Sequence, residues 1–173
     1  MVHTYVTNEA HMAKEDEFVQ LIRSNEGIIY KITSIYTTNH QDQQDLYQDI
    51  VYQLWKYYDS FRGEAKVSTW MYRVAMNTAI TRSRREQRKG YRVSIDSLFL
   101  KASEVYDDAM EDNLKKLRAQ IQRLNDLEKG LILLLLEGKT YQEIAQIMGI
   151  SAGNVGTRLT RIKKKLKKQL NKA

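Results

Sequence analysis

Apolar residues recur along this chain at intervals of three or four, the spacing that places them on one face of an α-helix. The spacing predicts a first helix over residues 14–37 and a second over about 41–58. One face of the second helix repeats an apolar residue every four positions, at Leu46, Ile50 and Leu54. Further helices are predicted over residues 67–88, 113–124 and 127–137. The third of these five helices is expected to turn Val67, Met71, Val74 and Thr78 inward.

The C-terminal part shows two short helical patterns separated by a tight turn. Thr140 and Glu143 have the spacing of a capping box at the start of a helix, and Gly149 suits the positive φ that ends one. Ser151 is a good N-cap for the next helix, whose apolar stripe is Val155, Leu159, Ile162 and Leu166. Two short helices, a glycine turn and a basic second helix predict a helix-turn-helix, a motif that places its second helix in the major groove of DNA.

Composition supports an all-α fold and excludes several kinds of site. The 173 residues include no proline and only 8 glycines, so the usual turn residues of all-β folds are scarce. The absence of cysteine excludes disulfides, thiolate metal sites and a cysteine nucleophile. The 3 histidines are too few and too scattered to predict a metal site, and no cofactor is expected.

The sequence shows no targeting or membrane segment. Its first 17 residues are polar and acidic, unlike a signal peptide. The longest apolar run, Leu131–Leu136, is much shorter than the about 20 residues that cross a bilayer. We therefore expect a cytoplasmic protein without membrane insertion.

Basic residues are concentrated in two segments that each follow or include a predicted helix. Residues 62–92 contain nine basic and two acidic side chains, and residues 158–173 contain eight basic and no acidic ones. Such segments are often solvated surfaces, but two of them in a chain of net charge +7 favour a polyanionic partner.

The stretch between the basic segments predicts the domain organisation. Residues 90–112 lack helical periodicity and are acidic, so they are expected to be a linker between helical domains over 1–89 and 113–173. The linker is expected to be mobile or to lie between the domains.

The third predicted helix places cations, an amide and an aromatic ring on one stripe. Single-stranded nucleic acid is bound by this combination, because cations bind the backbone, rings stack on bases and amides bind base edges. Trp70 and the preceding Phe61 could equally be core residues, so both interpretations stay open. The candidate contacts are Phe61, Arg62, Lys66, Trp70, Arg73, Asn77 and Arg84. A polar stripe on the second helix, which pairs with no other obvious part of the chain, is a second candidate surface; it consists of Asp45, Gln48, Asp49 and Gln53.

These residues together resemble a known family. The segments Asp45–Asp49, Phe61–Gly63 and Ser68–Asn77 are similar to region 2 of extracytoplasmic function (ECF) sigma factors. The segments Thr140–Ala145 and Ser151–Leu159 are similar to region 4 of the same family. The match covers about 15–88 and 113–170, nearly the whole chain.

The resemblance implies a role for each set of residues. Asp45, Gln48, Asp49 and Gln53 would bind the clamp of core RNA polymerase, and the flap would be a further polymerase contact. The loop with Phe61 and the third helix would recognise and open the minus-10 element, with one base flipped from the non-template strand. Duplex minus-35 DNA would be bound by Ser151, Asn154, Thr157, Arg158, Thr160, Arg161 and Lys164. An anti-sigma factor is a common further partner in the family.

Two departures from the family pattern modify these expectations. Gly156 occupies a position where the family usually has Lys or Arg, so one DNA contact is expected to be missing. Gly153 and Gly156 each weaken a helix by about 1 kcal/mol relative to alanine at interior positions. Arg73 occupies a position where housekeeping sigma factors have part of a tryptophan pair used in melting, so melting is expected to be weaker.

The sequence therefore predicts a promoter-specificity subunit of bacterial RNA polymerase and no enzyme. It offers no paired acids, phosphate-binding loop or activated nucleophile. The alternative is a stand-alone helix-turn-helix regulator with a sensing or dimerising N-terminal half, which would bind duplex DNA without polymerase.

Overall fold

A computed structural model describes the backbone of residues 2–89 and 116–170 and the side chains of residues 12–89 and 116–169. Every regular element in these ranges is a helix, which confirms the all-α prediction. The helices are α1 (Val2–Tyr36), α2 (His40–Tyr58), α3 (Val67–Arg88), α4 (residues 116–122), α5 (Asp126–Leu136), α6 (Tyr141–Met148) and α7 (Ala152–Leu170). The predicted linker, residues 90–112, lies outside the described residues.

Helix α1 starts earlier than the apolar spacing predicted. It begins at Val2, twelve residues before position 14. The added residues are too polar to give an apolar stripe, but they include good helix formers and contain neither glycine nor proline. No helix among the described residues has the length and apolar character needed to cross a membrane.

The α2 prediction holds and gains a cap that the sequence analysis did not assign. Leu46, Ile50 and Leu54 are all buried, as the four-residue repeat indicated. Asn39 is the N-cap, and its side-chain oxygen accepts a hydrogen bond of 2.8 Å from the Asp42 amide. This bond satisfies one of the amide groups left unpaired at a helix start.

Helix α3 is buried over a wider arc than predicted. Of the four residues expected to face inward, only Met71 is fully buried, while Val67, Val74 and Thr78 are half-buried. The remaining buried positions of α3 are Tyr72, Ala75, Met76 and Ala79. The reason is that α3 contacts α1 and α2 on one side and α5 and α6 on the other.

The ends of α5 and α6 are set by local sequence. Asn125 and Glu128 form a capping box at the start of α5. Thr140 and Glu143 form the predicted box at the start of α6. Gly138 and Gly149 have φ of 69° and 67°, the left-handed conformation that ends a helix at low cost for glycine. The predicted helix-turn-helix is therefore confirmed.

The two halves of the chain share one buried core. Helices α1, α2 and α3 form an N-terminal bundle, and α5 packs on α1 and α3 while α6 packs on α3. Helix α7 lies against α5 and α6, and its predicted stripe of Val155, Leu159, Ile162 and Leu166 is buried. The polar face of α7 therefore points away from the rest of the molecule.

Candidate nucleic-acid interface

A groove of about 1310 Å³ runs along the exposed side of α3. Its walls come from α2, the loop before α3, α3 itself and one residue of α6. The residues predicted for single-stranded DNA that line it are Phe61, Arg62, Trp70, Arg73 and Asn77. The structure therefore brings an aromatic pair, two guanidinium groups and an amide together along one channel, which is the chemistry suited to a single nucleic-acid strand.

Phe61 and Trp70 form an aromatic pair at one end of the groove. Their ring centroids are 5.0 Å apart with a tilt of 33°. Both side chains are half-buried. Their burial is therefore intermediate between the two alternatives that the sequence left open, a core residue and an exposed nucleic-acid contact. The adjacent Gly63 has φ of 72°, so the loop turns where a larger residue would be strained. Each ring is packed on one side and lines the groove on the other.

Two predicted contacts lie outside this groove. Lys66 and Arg84 are exposed, but neither lines the channel. Arg85 and Gln146 do line it, and the sequence analysis missed both. Arg85 could have been found from its spacing, because it lies about two helical turns after Asn77, which belongs to the predicted stripe. Gln146 could not, because it belongs to α6 in the other half of the chain.

Arg82 organises the acidic side of α2. Its guanidinium lies 2.8 Å from Asp49, 3.8 Å from Asp45 and 4.0 Å from Asp42. It also pairs with Glu86 one helical turn later on α3, at 2.8 Å. The interpretation that the α2 stripe pairs with no other part of the chain is therefore wrong. The only signal in the sequence was the Arg82–Glu86 spacing of four.

The charge environment keeps Arg82 ionised. Burial acts to lower the pKa of the Arg82 guanidinium, but its hydrogen bonds to Asp49 and Glu86 outweigh burial and raise the pKa above its usual value. Arg82 therefore holds α2 to α3 as a permanent cation. Its hydrogen bond of 2.8 Å to Asp49 ties that side chain to α3.

Gln48 and Gln53 lie on different sides of α2. Gln53 lines the groove along α3 with Asp49. Gln48 lies beside an apolar depression formed with Phe18, Tyr47, Val51, Tyr52 and Trp55. The four predicted polymerase-binding residues therefore do not form one uniform polar surface.

Replacing Asp49 by lysine is expected to destabilise the fold, because Asp49 pairs with Arg82 of α3. The change removes a 2.8 Å ion pair and places a second cation beside Arg82. Because Asp49 is half-exposed, we expect a loss of about 1–3 kcal/mol in the free energy of unfolding. Denaturant unfolding beside the Asp16→Lys variant, which makes the same change of charge at an exposed site, measures it. Equal stability of the two variants would contradict the role of Arg82.

All residues of α7 and its N-cap that were predicted to bind duplex DNA are exposed. The residues expected to bind duplex DNA, all exposed, are Ser151, Asn154, Thr157, Arg158, Thr160, Arg161 and Lys164. The Ser151 hydroxyl accepts a hydrogen bond of 3.3 Å from the Asn154 amide, as an N-cap does. The Thr157 and Thr160 hydroxyls donate to backbone carbonyls four residues earlier, so each oxygen keeps acceptor capacity towards a donor on DNA.

Two details refine the basic helix. Lys165 pairs with Glu128 of α5 at 3.1 Å, so it stabilises the packing of α7. A Cβ at Gly156 would lie 3.4 Å from the ring of Tyr141, the first residue of α6. The half-exposed aromatic ring of Tyr141 therefore lies beside position 156, where this chain has glycine and the family usually has Lys or Arg.

Comparison with known proteins identifies two family matches, one in each half. Residues 21–89 match Sigma-70 region 2. Residues 114–166 match Sigma-70, region 4. Together the matched ranges include the groove and the helix-turn-helix.

Two similar proteins match this chain over most of their length. The chain is 30% identical to the RNA polymerase sigma factor YlaC of Bacillus subtilis over 144 residues, which cover 79% of this chain and 82% of YlaC. It is 26% identical to the ECF RNA polymerase sigma factor SigW of the same organism, with 90% of each chain covered.

Two solved structures share the fold. The sigma factor RpoE of Bartonella quintana, bound to the anti-sigma factor NepR, matches with a TM-score of 0.71 at 18% identity over 92% of this chain and 97% of that one. CnrH in complex with the cytosolic domain of CnrY matches with a TM-score of 0.65 at 18% identity, over 91% and 89%.

Proposed function

The chain belongs to the sigma-70 family of RNA polymerase sigma factors, and from that premise we propose a task for each of its surfaces. As a sigma factor of the ECF type it is a promoter-specificity subunit that directs RNA polymerase to promoters. The groove along α3 binds the melted minus-10 strand. The exposed face of α7 binds duplex minus-35 DNA.

The observation that carries this proposal is the α3 groove. A stand-alone regulator needs the helix-turn-helix but has no use for a second channel of rings, guanidinium groups and an amide. Here Phe61, Trp70, Arg73 and Asn77 line such a channel. Base stacking on aromatic rings contributes about 1–3 kcal/mol per base, and this offsets part of the cost of removing a base from the duplex.

The α7 surface supports the second task. Its buried stripe fixes the helix against α5 and α6, and this leaves Arg158 and Arg161 exposed on the opposite face. Arginine is the residue that most often binds guanine in the major groove through two hydrogen bonds. The lysines that follow lie near the helix end and would bind phosphates by releasing counterions.

The partners follow from these tasks. We propose that core RNA polymerase binds the α2 surface, where Gln48 adjoins the apolar depression around Tyr52 and Trp55. The similar RpoE structure is a complex with the anti-sigma factor NepR, and a partner of that class is proposed for this chain. The task places the protein in the cytoplasm beside the chromosome. Sigma factors are regulatory subunits, and polymerase performs the nucleotidyl transfer.

Reconstitution with core polymerase tests the function as a whole. The full chain and purified core enzyme are combined on a library of genomic promoter fragments, and run-off transcripts are sequenced. We expect transcripts that start downstream of one shared pair of elements and that require both components. Sequence-specific DNA binding without any polymerase-dependent transcript would support the stand-alone regulator instead.

The polymerase surface is tested at a position outside the Arg82 cluster. Gln48→Lys is expected to weaken binding to core polymerase about tenfold, because a lysine beside the apolar depression must be desolvated in the complex. Gln20→Lys, an exposed change of the same kind on α1, is the control. Competition against a labelled sigma factor for limiting core enzyme measures both. Equal competition by the two variants would remove Gln48 from the interface.

A further inference from the structure

One aromatic side chain lies at the edge of the exposed face of α7. Tyr141 is the first residue of α6, and its exposed fraction is 42%. A Cβ built on Gly156 of α7 would lie 3.4 Å and 3.6 Å from two carbon atoms of the Tyr141 ring. The ring therefore lies directly beside the place that a side chain at position 156 would occupy.

Position 156 adjoins the residues proposed to bind duplex DNA. It immediately precedes Thr157 and lies about one helical turn before Thr160, and both threonines are exposed. The Thr160 hydroxyl donates a hydrogen bond of 2.9 Å to the Gly156 carbonyl, so this short side chain is held close to the helix. Because Gly156 has no side chain either, α7 does not cover the Tyr141 ring at this point. A duplex that contacts Thr157 and Thr160 therefore comes close to the exposed side of the ring.

The glycine changes the chemistry that this edge of α7 offers to a base pair. An arginine at position 156 would offer two hydrogen-bond donors, which suit the acceptors of guanine in the major groove. The exposed ring of Tyr141 offers an apolar surface instead. The apolar group that a base pair presents in the major groove is the C5 methyl of thymine, and apolar side chains recognise thymine by contact with it.

A base edge suits this position better than a phosphate does, because the start of α6 already has an anion. The Glu143 carboxylate accepts hydrogen bonds from the Thr140 amide at 2.8 Å and from the Thr140 hydroxyl at 2.9 Å. These hydrogen bonds lower the pKa of the Glu143 carboxyl, so it is ionised at neutral pH. The amide groups of a free helix start attract phosphate, but here a carboxylate two residues from Tyr141 takes that place and repels a second anion.

We propose that Tyr141 is a specificity-determining residue that contacts the methyl group of one thymine in the major groove of the minus-35 element. This inference rests on the proposed function of α7. Tyr141 supplies the apolar surface, and Gly156 leaves that surface uncovered. The chain should therefore select an A·T pair where an arginine at position 156 would select a G·C pair.

The test removes single methyl groups from the DNA. Deoxyuridine pairs with adenine as thymidine does and differs from it only in lacking the C5 methyl. Duplexes are prepared with the minus-35 element of the mapped promoters, and each thymidine on either strand is replaced by deoxyuridine, one at a time. Fluorescence anisotropy measures binding of the full-length protein to each duplex. All measurements use one salt concentration, because affinity for DNA depends strongly on salt.

Two pairs of variants isolate the ring and the glycine. Tyr141→Ala removes the ring, whereas Tyr141→Phe keeps the ring and removes only the hydroxyl. The control for the ring is Tyr30→Ala, which removes another exposed tyrosine on α1. Gly156→Arg places a cation beside the ring, and its control is Gly153→Arg on the same helix, where a Cβ would have nothing within 4 Å. Circular dichroism and thermal unfolding verify that each variant is folded.

We expect one thymine to depend on its methyl group in the wild-type protein. Replacing that thymidine by deoxyuridine should lower affinity about three- to fivefold, the effect of removing one methyl-sized apolar contact. Tyr141→Phe and Tyr30→Ala should show the same loss. Tyr141→Ala should bind the thymidine and deoxyuridine duplexes equally well at that position, because the group that contacts the methyl is gone.

Gly156→Arg is expected to change the preferred base pair. At the pair that depends on the methyl group, this variant should favour G·C over A·T at least fivefold, and the effect of deoxyuridine should disappear. Gly153→Arg adds the same charge away from the ring, so it should keep the wild-type effect of deoxyuridine. An unchanged effect of deoxyuridine in Gly156→Arg would contradict the assignment, because the ring would then act apart from position 156.

The inference is overturned if no thymine of the minus-35 element depends on its methyl group in the wild-type protein. It is also overturned if Tyr141→Ala weakens every duplex by the same factor, since Tyr141 would then bind phosphate or only support packing. The Arg158→Ala variant separates this failure from failure of the proposed function. If Arg158→Ala still weakens duplex binding, the α7 surface stands and only the role of Tyr141 is lost. If Arg158→Ala binds as the wild type does, the proposed function of α7 fails and the role of Tyr141 fails with it.

Discussion

Arg158→Ala is expected to lower transcription from a cognate promoter about 5- to 150-fold. The range corresponds to the about 1–3 kcal/mol that a two-bond contact between arginine and a base edge contributes. Arg158 is exposed, and the buried neighbour Leu159 anchors this turn of α7 in the core. The loss should therefore come from the DNA contact, with the fold unchanged.

A second variant on α7 is the control, and a set of promoters distinguishes a base contact from a phosphate contact. Lys163→Ala removes one of the exposed lysines proposed to bind phosphates, so it should reduce transcription less than Arg158→Ala and by the same factor on all promoters. Run-off transcription is compared across promoters with single changes in the minus-35 element. If Arg158 contacts a base, Arg158→Ala should no longer distinguish between bases at one position of the minus-35 element. If Arg158 contacts a phosphate, transcription should fall by the same factor on all promoters. Equal activity of Arg158→Ala and Lys163→Ala would remove Arg158 from the interface.

Phe61→Ala is expected to reduce promoter opening about 5- to 150-fold, because stacking on one base contributes about 1–3 kcal/mol. The ring is half-buried and pairs with Trp70 at 5.0 Å. The variant should therefore also lose about 0.5–1.5 kcal/mol of stability, less than the about 3–5 kcal/mol of a fully buried phenylalanine.

Asn77→Ala separates opening from stability. Asn77 is exposed and lines the groove, so its loss should leave thermal unfolding unchanged. Opening should fall about 3- to 10-fold for each hydrogen bond lost to a base. Fluorescence of 2-aminopurine in the minus-10 element of a polymerase complex measures opening, and Gln20→Ala is the control. Normal opening by both Phe61→Ala and Asn77→Ala would exclude the groove from melting.

The sequence by itself determined the features that depend on neighbours along the chain. The capping box of Thr140 and Glu143, the glycine at 149 and the successive positions of the α7 stripe each involve residues at most four positions apart, so their spacing predicted them correctly. The Glu143 carboxylate shows this local origin, because the backbone amide and hydroxyl of Thr140 lower its pKa. Acid should therefore weaken this cap only as pH falls through that lowered pKa.

Only the tertiary structure decided the features that depend on distant residues. Arg82 finds Asp49 across 33 positions of sequence, and a periodic pattern in one helix does not reveal a partner in another. The burial of Tyr72 and Met76 in α3 depends on α5 and α6, which pack on α3 at positions that the apolar spacing did not predict to face inward. Gln146 reaches the groove for the same reason. Local sequence fixes which residues share a helix face, but packing between helices fixes what each face contacts, because side-chain contacts across an interface depend on the geometry of both partners.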